Sequence, residues 1–211
     1  MKKELPLFPL GLVVFPLEDL NLHIFEPRYR QLIRDVEQGE GTFGIPAYIN
    51  NQVTDYGTEV RLKSIEKVYE DGRMDIRTEG VQVFRLLSFE NPWRDRLYAG
   101  GEAEMMPADG KDDPLVRQAL IEKIETLFGI LQIQFDLSIF DFEIFTFEIA
   151  QKIGLSLEQK YELLKIPSEQ ERQTFMLEHL ERALPIIAEM ERVKQLVRMN
   201  GHFKYFDPLN F

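Results

Sequence analysis

Side chains able to do chemistry are few in this 211-residue chain, and they stand far apart. The histidines are His23, His179 and His202, expected on a strand, a helix and a tail. No His-Glu-x-x-His or other paired spacing offers them jointly to a metal. The serines are Ser64, Ser88, Ser138, Ser156 and Ser168, and none sits in the Gly-x-Ser-x-Gly turn that exposes a nucleophile. No glycine-rich loop ends in Gly-Lys-Ser/Thr, so phosphates have no backbone cradle of the usual kind. Acidic neighbours such as Asp112 with Asp113, or Glu169 with Glu171, fall where they favour the positive end of a helix. With no cysteine, thiolate metal sites, disulfides and a Cys nucleophile are excluded together.

The side chains that remain suit binding. Arg28 and Arg30 carry guanidinium forks that fit a partner's carboxylates, although Pro27 and Tyr29 beside them also read as the start and buried stripe of a helix. Trp93 and Arg94 lie in a polar loop, where an indole can anchor a partner or cap the end of a barrel. The tail with Phe203 and Tyr205 is too aromatic to be a solvated terminus, and the run Phe135 to Phe147 reads as core. The net charge of −11 divides evenly, with 13 basic against 19 acidic residues in 1–110 and 12 against 17 in 111–211. Such a chain is a poor match for nucleic acid or an anionic membrane.

Elements that position these residues follow from periodicity. Leu5 to Leu10, studded with prolines, reads as an edge strand or an extended segment that forgoes some ladder hydrogen bonds, with short strands at Val13 to Phe15 and Leu20 to Ile24. Pro27 opens a helix that Gly39 closes. Strands are expected at Phe43 to Ile49, Val60 to Val68, Met74 to Thr78, Val81 to Phe89 and Leu97 to Met105, with a hairpin at Asp71-Gly72. Residues 107–114 mark a boundary, giving a β-rich unit over 1–110 and a helical unit over 111–211. Asp113 caps a helix to about Gln132, and a second covers Phe142 to Ile153. Ser156 and Ser168 begin two more, the last ending at Gly201 with Pro185 inside it. Lys2 and Lys3 before an apolar run resemble a signal peptide, but Pro6, Pro9 and Pro16 break the helix it would form, so a cytoplasmic protein is expected.

Leu5-Pro-Leu-Phe-Pro-Leu10, Val14-Phe-Pro16 and Leu22-His-Ile-Phe-Glu-Pro-Arg-Tyr-Arg30 together resemble the N-terminal substrate-binding domain of Lon proteases. Gly57-Thr58, Asp71-Gly-Arg73, Glu79-Gly80 and Phe84-Arg85 continue the likeness, as does Ile149 to Phe175. Asn21 and Leu17-Glu18-Asp19 depart from it in loops. The resemblance implies an α+β fold, a PUA-like β pseudo-barrel with one helix followed by a helical bundle. It implies a non-catalytic module that needs no cofactor or metal and recognises unfolded or partly folded polypeptide, or a dedicated protein partner, as an adaptor in proteolysis or quality control; the aromatic tail packs on its own chain or, docked into a neighbour, would make a homodimer. An RNA-binding role by analogy of fold, and a hydrolase with an unrecognised site, stand as the alternatives.

Overall fold

A computed structural model describes residues 1–107, 109–134 and 145–202. Six strands form one sheet: β1 (Lys2–Leu7), β2 (Asp19–Ile24), β3 (Thr42–Ile49), β4 (Gln52–Val68), β5 (Met74–Leu86) and β6 (Ala99–Met105). The order β2-β5-β4-β3-β1-β6, with a further β5–β6 pairing, closes five strands into a ring and leaves β2 outside it on β5. All pairings are antiparallel except β1 with β3. Closure gives each of the five ring strands a neighbour on both sides, and β2 keeps one open edge.

Helix α1 (Pro27–Gln38) buries Tyr29, Leu32, Ile33 and Val36 against the sheet, the stripe its spacing dictates. Four more follow: α2 (Pro114–Leu131), α3 (Phe145–Ala150), α4 (Leu157–Leu164) and α5 (Glu169–His202). The architecture is therefore the α+β one expected. Its largest apolar cluster joins the two halves, since Val13, Phe15, Ala47 and Val83 of the β-rich part pack with Leu120, Phe147, Leu163 and Met176 of the helices.

Local details differ from expectation for physical reasons. Val13 to Phe15 is not a strand; it is buried irregular chain, its backbone tied by Thr58 Oγ1 to Val14 O (2.5 Å) and by the Phe15 N–H to Glu18 Oε2 (2.8 Å). β1 is no edge strand, because it lies between β3 and β6. The Met105 N–H donates to Met1 O and the Phe8 N–H to Gly44 O, so by alternation the nitrogen of Pro6 faces β3, where pairing is confined to Leu7 with Gly44. β4 begins at Gln52 rather than Val60, β6 begins at Ala99 rather than Leu97, and β5 runs unbroken through Gly80. α3 begins inside the expected second helix, whose first residues lie outside the described ones. α5 continues through Pro185 and passes Gly201 to His202.

Helix starts follow the sequence closely. Ser156 and Gln159 form a reciprocal capping box, while Ser168 Oγ reaches the Glu171 amide at 3.5 Å. Asp113 Oδ1 accepts from the amides of Leu115 (2.9 Å) and Val116 (3.3 Å). Asp113→Ala is therefore expected to lower stability by about 1 kcal/mol in urea unfolding; a change below about 0.3 kcal/mol would mean that the cap contributes nothing.

Candidate binding site

Where β5 leaves β2 and joins β6, its residues Val81, Gln82 and Val83 form the floor of a cleft of about 230 Å³. Each wall is pinned. Pro16 and Leu17 stand on one side, held by the Leu17 N–H to Gly80 O (2.9 Å) and the Gly80 N–H to Glu18 O (2.9 Å). Met106 and Pro107 stand opposite, held by the Met106 N–H to Val83 O (2.9 Å) and by Gln82 Nε2 to Met106 O (3.1 Å). The helical half supplies the third wall from Phe147 and the linker Leu164 to Pro167, and Tyr56 stands edge-on to Tyr161 at 6.4 Å.

Arg172 fastens that linker. Its Nη1 donates to Ile166 O (2.8 Å) and Pro167 O (2.9 Å), its Nε to Thr146 Oγ1 (2.9 Å), and its Nη2 to Glu169 Oε2 (2.6 Å). The guanidinium also lies 4.1 Å from the centre of the Phe147 ring, which stacks on Phe15 at 5.4 Å. Both members of the ion pair are fully buried. Burial pushes the Glu169 carboxyl up, with Arg172 and Thr146 pulling the other way. Burial lowers the guanidinium in turn, against the attraction of Glu169.

Among the described residues no carboxylate lines the cleft, and its cations are already paired: Arg172 with Glu169, and Lys165 with Glu162 at 2.6 Å. What it offers a ligand is apolar surface. At the rim Leu17 is 52% exposed and holds φ at 61°, a left-handed conformation that costs a β-carbon residue roughly 1–2 kcal/mol. The strain thus lies in the backbone of a residue whose apolar side chain is half exposed beside an apolar cleft.

The residues singled out in the sequence lie elsewhere. Arg28 donates to Glu26 at 2.8 Å and covers the Tyr29 ring, and Arg30 donates to Asp71 O at 2.6 Å across the 71–73 turn. Trp93 is half-buried over Gly100, with Arg94 4.7 Å from its ring and bonded to Glu4 at 2.6 Å. Trp93 and Arg94 thus sit together, lining a polar depression apart from the cleft. Phe203 and Tyr205 lie outside the described residues. His23 is held by Asp75 through Nδ1 at 2.6 Å, and Tyr69 donates to the same carboxylate at 2.8 Å.

Ser64-x-x-Lys67 does have the spacing of a Ser-Lys dyad, against the expectation that no serine precedes a lysine at that interval. On β4 it makes no dyad, because Ser64 Oγ donates to Glu66 and the Lys67 ammonium lies 4.3 Å over the Tyr69 ring. Among the described residues no three acidic or histidine side chains gather as a metal would require, and no helix is long and apolar enough to cross a membrane.

A closed sheet, a helical cap and an apolar cleft between them define a binding domain. Residues 4–182 match the family model of the ATP-dependent protease La (LON) substrate-binding domain, and the chain belongs to that family. Two solved structures are similar. One is a Lon N-terminal domain protein from Xanthomonas campestris, 26% identical, with a TM-score of 0.66 over 83% of this chain and 97% of that one. The other is the N-terminal domain of a Mycobacterium avium complex Lon protease, 14% identical, with a TM-score of 0.66 over 85% and 98%. The family is one of substrate-binding domains.

Proposed function

We propose that this chain recognises polypeptide segments and presents them to proteolysis or quality control, with the cleft on β5 as its point of contact. The observation that carries this reading is Leu17, strained and exposed at the rim of an apolar cleft whose three walls are each pinned by hydrogen bonds. A pre-formed cleft of this kind captures an apolar side chain without first having to order its own walls. The acidic exterior favours basic or neutral targets over acidic ones.

The test is a fluorescence-anisotropy titration against a labelled, permanently unfolded polypeptide, the same chain folded, and a labelled RNA. Preference for the unfolded chain that survives moderate salt is expected. Leu17→Asn keeps a residue tolerant of the left-handed backbone while removing the apolar rim, so it is expected to weaken binding about tenfold with the fold intact. Trp93→Ala, in the separate polar depression, is expected to change binding by less than about twofold. Equal binding by wild type and Leu17→Asn would move the contact surface away from the cleft. Tight RNA binding that collapses with salt would replace the reading altogether.

A further inference from the structure

Strand β2 has β5 on one side and, among the described residues, no strand on the other. Two bonds near its start set the direction of its peptide groups. The Gly80 N–H donates to Glu18 O, and Thr78 Oγ1 donates to Leu20 O, so Glu18, Leu20, Leu22 and Ile24 turn their backbone toward β5. By alternation Asp19, Asn21 and His23 turn theirs outward. Among the described residues no other backbone group bonds to the N–H or C=O of these three. The edge therefore offers a donor and an acceptor at every second residue, about 6.8 Å apart. Asp19, Asn21 and His23 are also exposed, while Leu20, Leu22 and Ile24 pack inward. Proline, lysine and bulges, the devices that keep edge strands from pairing, are all missing: β2 reads Asp-Leu-Asn-Leu-His-Ile, and its register with β5 runs unbroken from Asp19 opposite Glu79 to Ile24 opposite Met74.

We propose that the open edge of β2 takes the bound polypeptide as an added strand, so that a segment anchored in the cleft by one side chain is also held along its backbone. This rests on the reading of the chain as a polypeptide-recognition module. An extended backbone is the ligand whose amides and carbonyls repeat at the two-residue spacing of this edge, which selects it as the occupant. The edge is continuous with the cleft, because the rim residue Leu17 stands two residues before Asp19. On the inner face the added strand meets half-buried Leu20 and Leu22, and Leu20 shares a groove with Leu12, Leu155 and Leu157. On the outer face it lies beside Asp19, Asn21 and His23. The segment that fits is therefore extended, free of proline, apolar at every second residue and polar between. Selection then acts on the pattern of a sequence more than on the identity of its residues.

Amide hydrogen exchange of the full chain, followed by NMR with and without the permanently unfolded polypeptide, tests this. The amides of Asp19, Asn21 and His23 are expected to exchange fast in the free protein and about tenfold more slowly at saturation, while those of Leu20, Leu22 and Ile24 stay slow in both. Asn21→Pro removes the central outward donor and leaves the ladder to β5 whole. It is expected to weaken binding about tenfold with an unchanged circular-dichroism spectrum and melting temperature, whereas Asn21→Ala, which keeps the amide, is expected to bind as the wild type does. If the proline variant does not fold, the exchange rates decide alone. Binding that Leu17→Asn weakens but that protects none of the three amides would overturn this proposal and leave the cleft standing. Absence of any binding to unfolded polypeptide would overturn both. A dimer in sedimentation equilibrium that Asn21→Pro dissolves would give the edge to a second copy, and would overturn the proposal as well.

Discussion

Replacing Arg172 with methionine is expected to lower the unfolding free energy by about 3–5 kcal/mol, the cost of leaving a buried charge without its partner. The side chain sits in a fully buried pair with Glu169 and also donates to Thr146 and to the carbonyls of Ile166 and Pro167. Methionine fills comparable volume, so the loss comes from Glu169 and from unanswered acceptors, not from a cavity. The deficit has a pH signature. Burial already raises the Glu169 carboxyl, and without Arg172 nothing of equal strength opposes it. A carboxyl raised on folding contributes stability at low pH that disappears as pH rises through its folded-state value. The gap between variant and wild type is therefore expected to be smaller at pH 5 than at pH 8 in urea titrations. An equal gap at both would show that Glu169 is not the source. Because the linker 164–167 is tied by the same side chain, polypeptide binding is expected to weaken too.

Gly80→Ala is expected to cost about 3 kcal/mol or more, far beyond the usual price of adding a methyl group to a strand. A Cβ there would stand 2.0 Å from Phe15 O, 2.9 Å from its carbonyl carbon and 3.3 Å from Pro16 Cα, all of them backbone atoms that no rotamer change can move. The intruding methyl would push the 15–18 segment off β5 and strain the two hydrogen bonds that Gly80 shares with Leu17 and Glu18. Overpacking of this kind costs about 1–3 kcal/mol, and each hydrogen bond about 1 kcal/mol more. Gly41→Ala makes the control. Its φ of 75° is unfavourable, yet nothing lies within 4 Å, so about 1 kcal/mol is expected. Comparable losses at the two positions would show that the crossing chain yields.

Gly80 also marks the limit of what was legible in the sequence. Glu79-Gly80 reads as a break between two strands, since glycine is poor in strand interiors, and only the crossing of Phe15 O reveals why one strand keeps it there. Val13 to Phe15 misled for the converse reason. An apolar run announces burial, and burial was taken for a strand, whereas the segment is covered without joining the ladder. Features set by a few adjacent residues were readable: Pro27 opening α1, Gly72 with φ at 82° in its hairpin, and the caps at Asp113 and Ser156. The cleft was not. Its lining comes from seven separated stretches around Pro16, Tyr56, Val81, Met106, Phe147, Leu164 and Arg172, and no local pattern announces a surface that exists only after the sheet closes. The available hint is that three of these stretches carry a proline at the cleft, Pro16, Pro107 and Pro167. Arg28 and Arg30 were attractive because their chemistry shows in isolation, but each already has a partner close by in space.

The ring of strands has a consequence for how the chain comes to be folded. β1 lies against β6 with Lys2 opposite Glu104, so a segment made early is paired with one made about a hundred residues later. The β4–β5 hairpin, joined through Asp71-Gly72, is local and forms early, whereas the stave that closes the barrel must wait. During that wait β1 presents Leu5 and Leu7, fully buried in the finished molecule, to whatever is near. A protein of a family that binds substrates for a protease thus passes through a stage at which it resembles one.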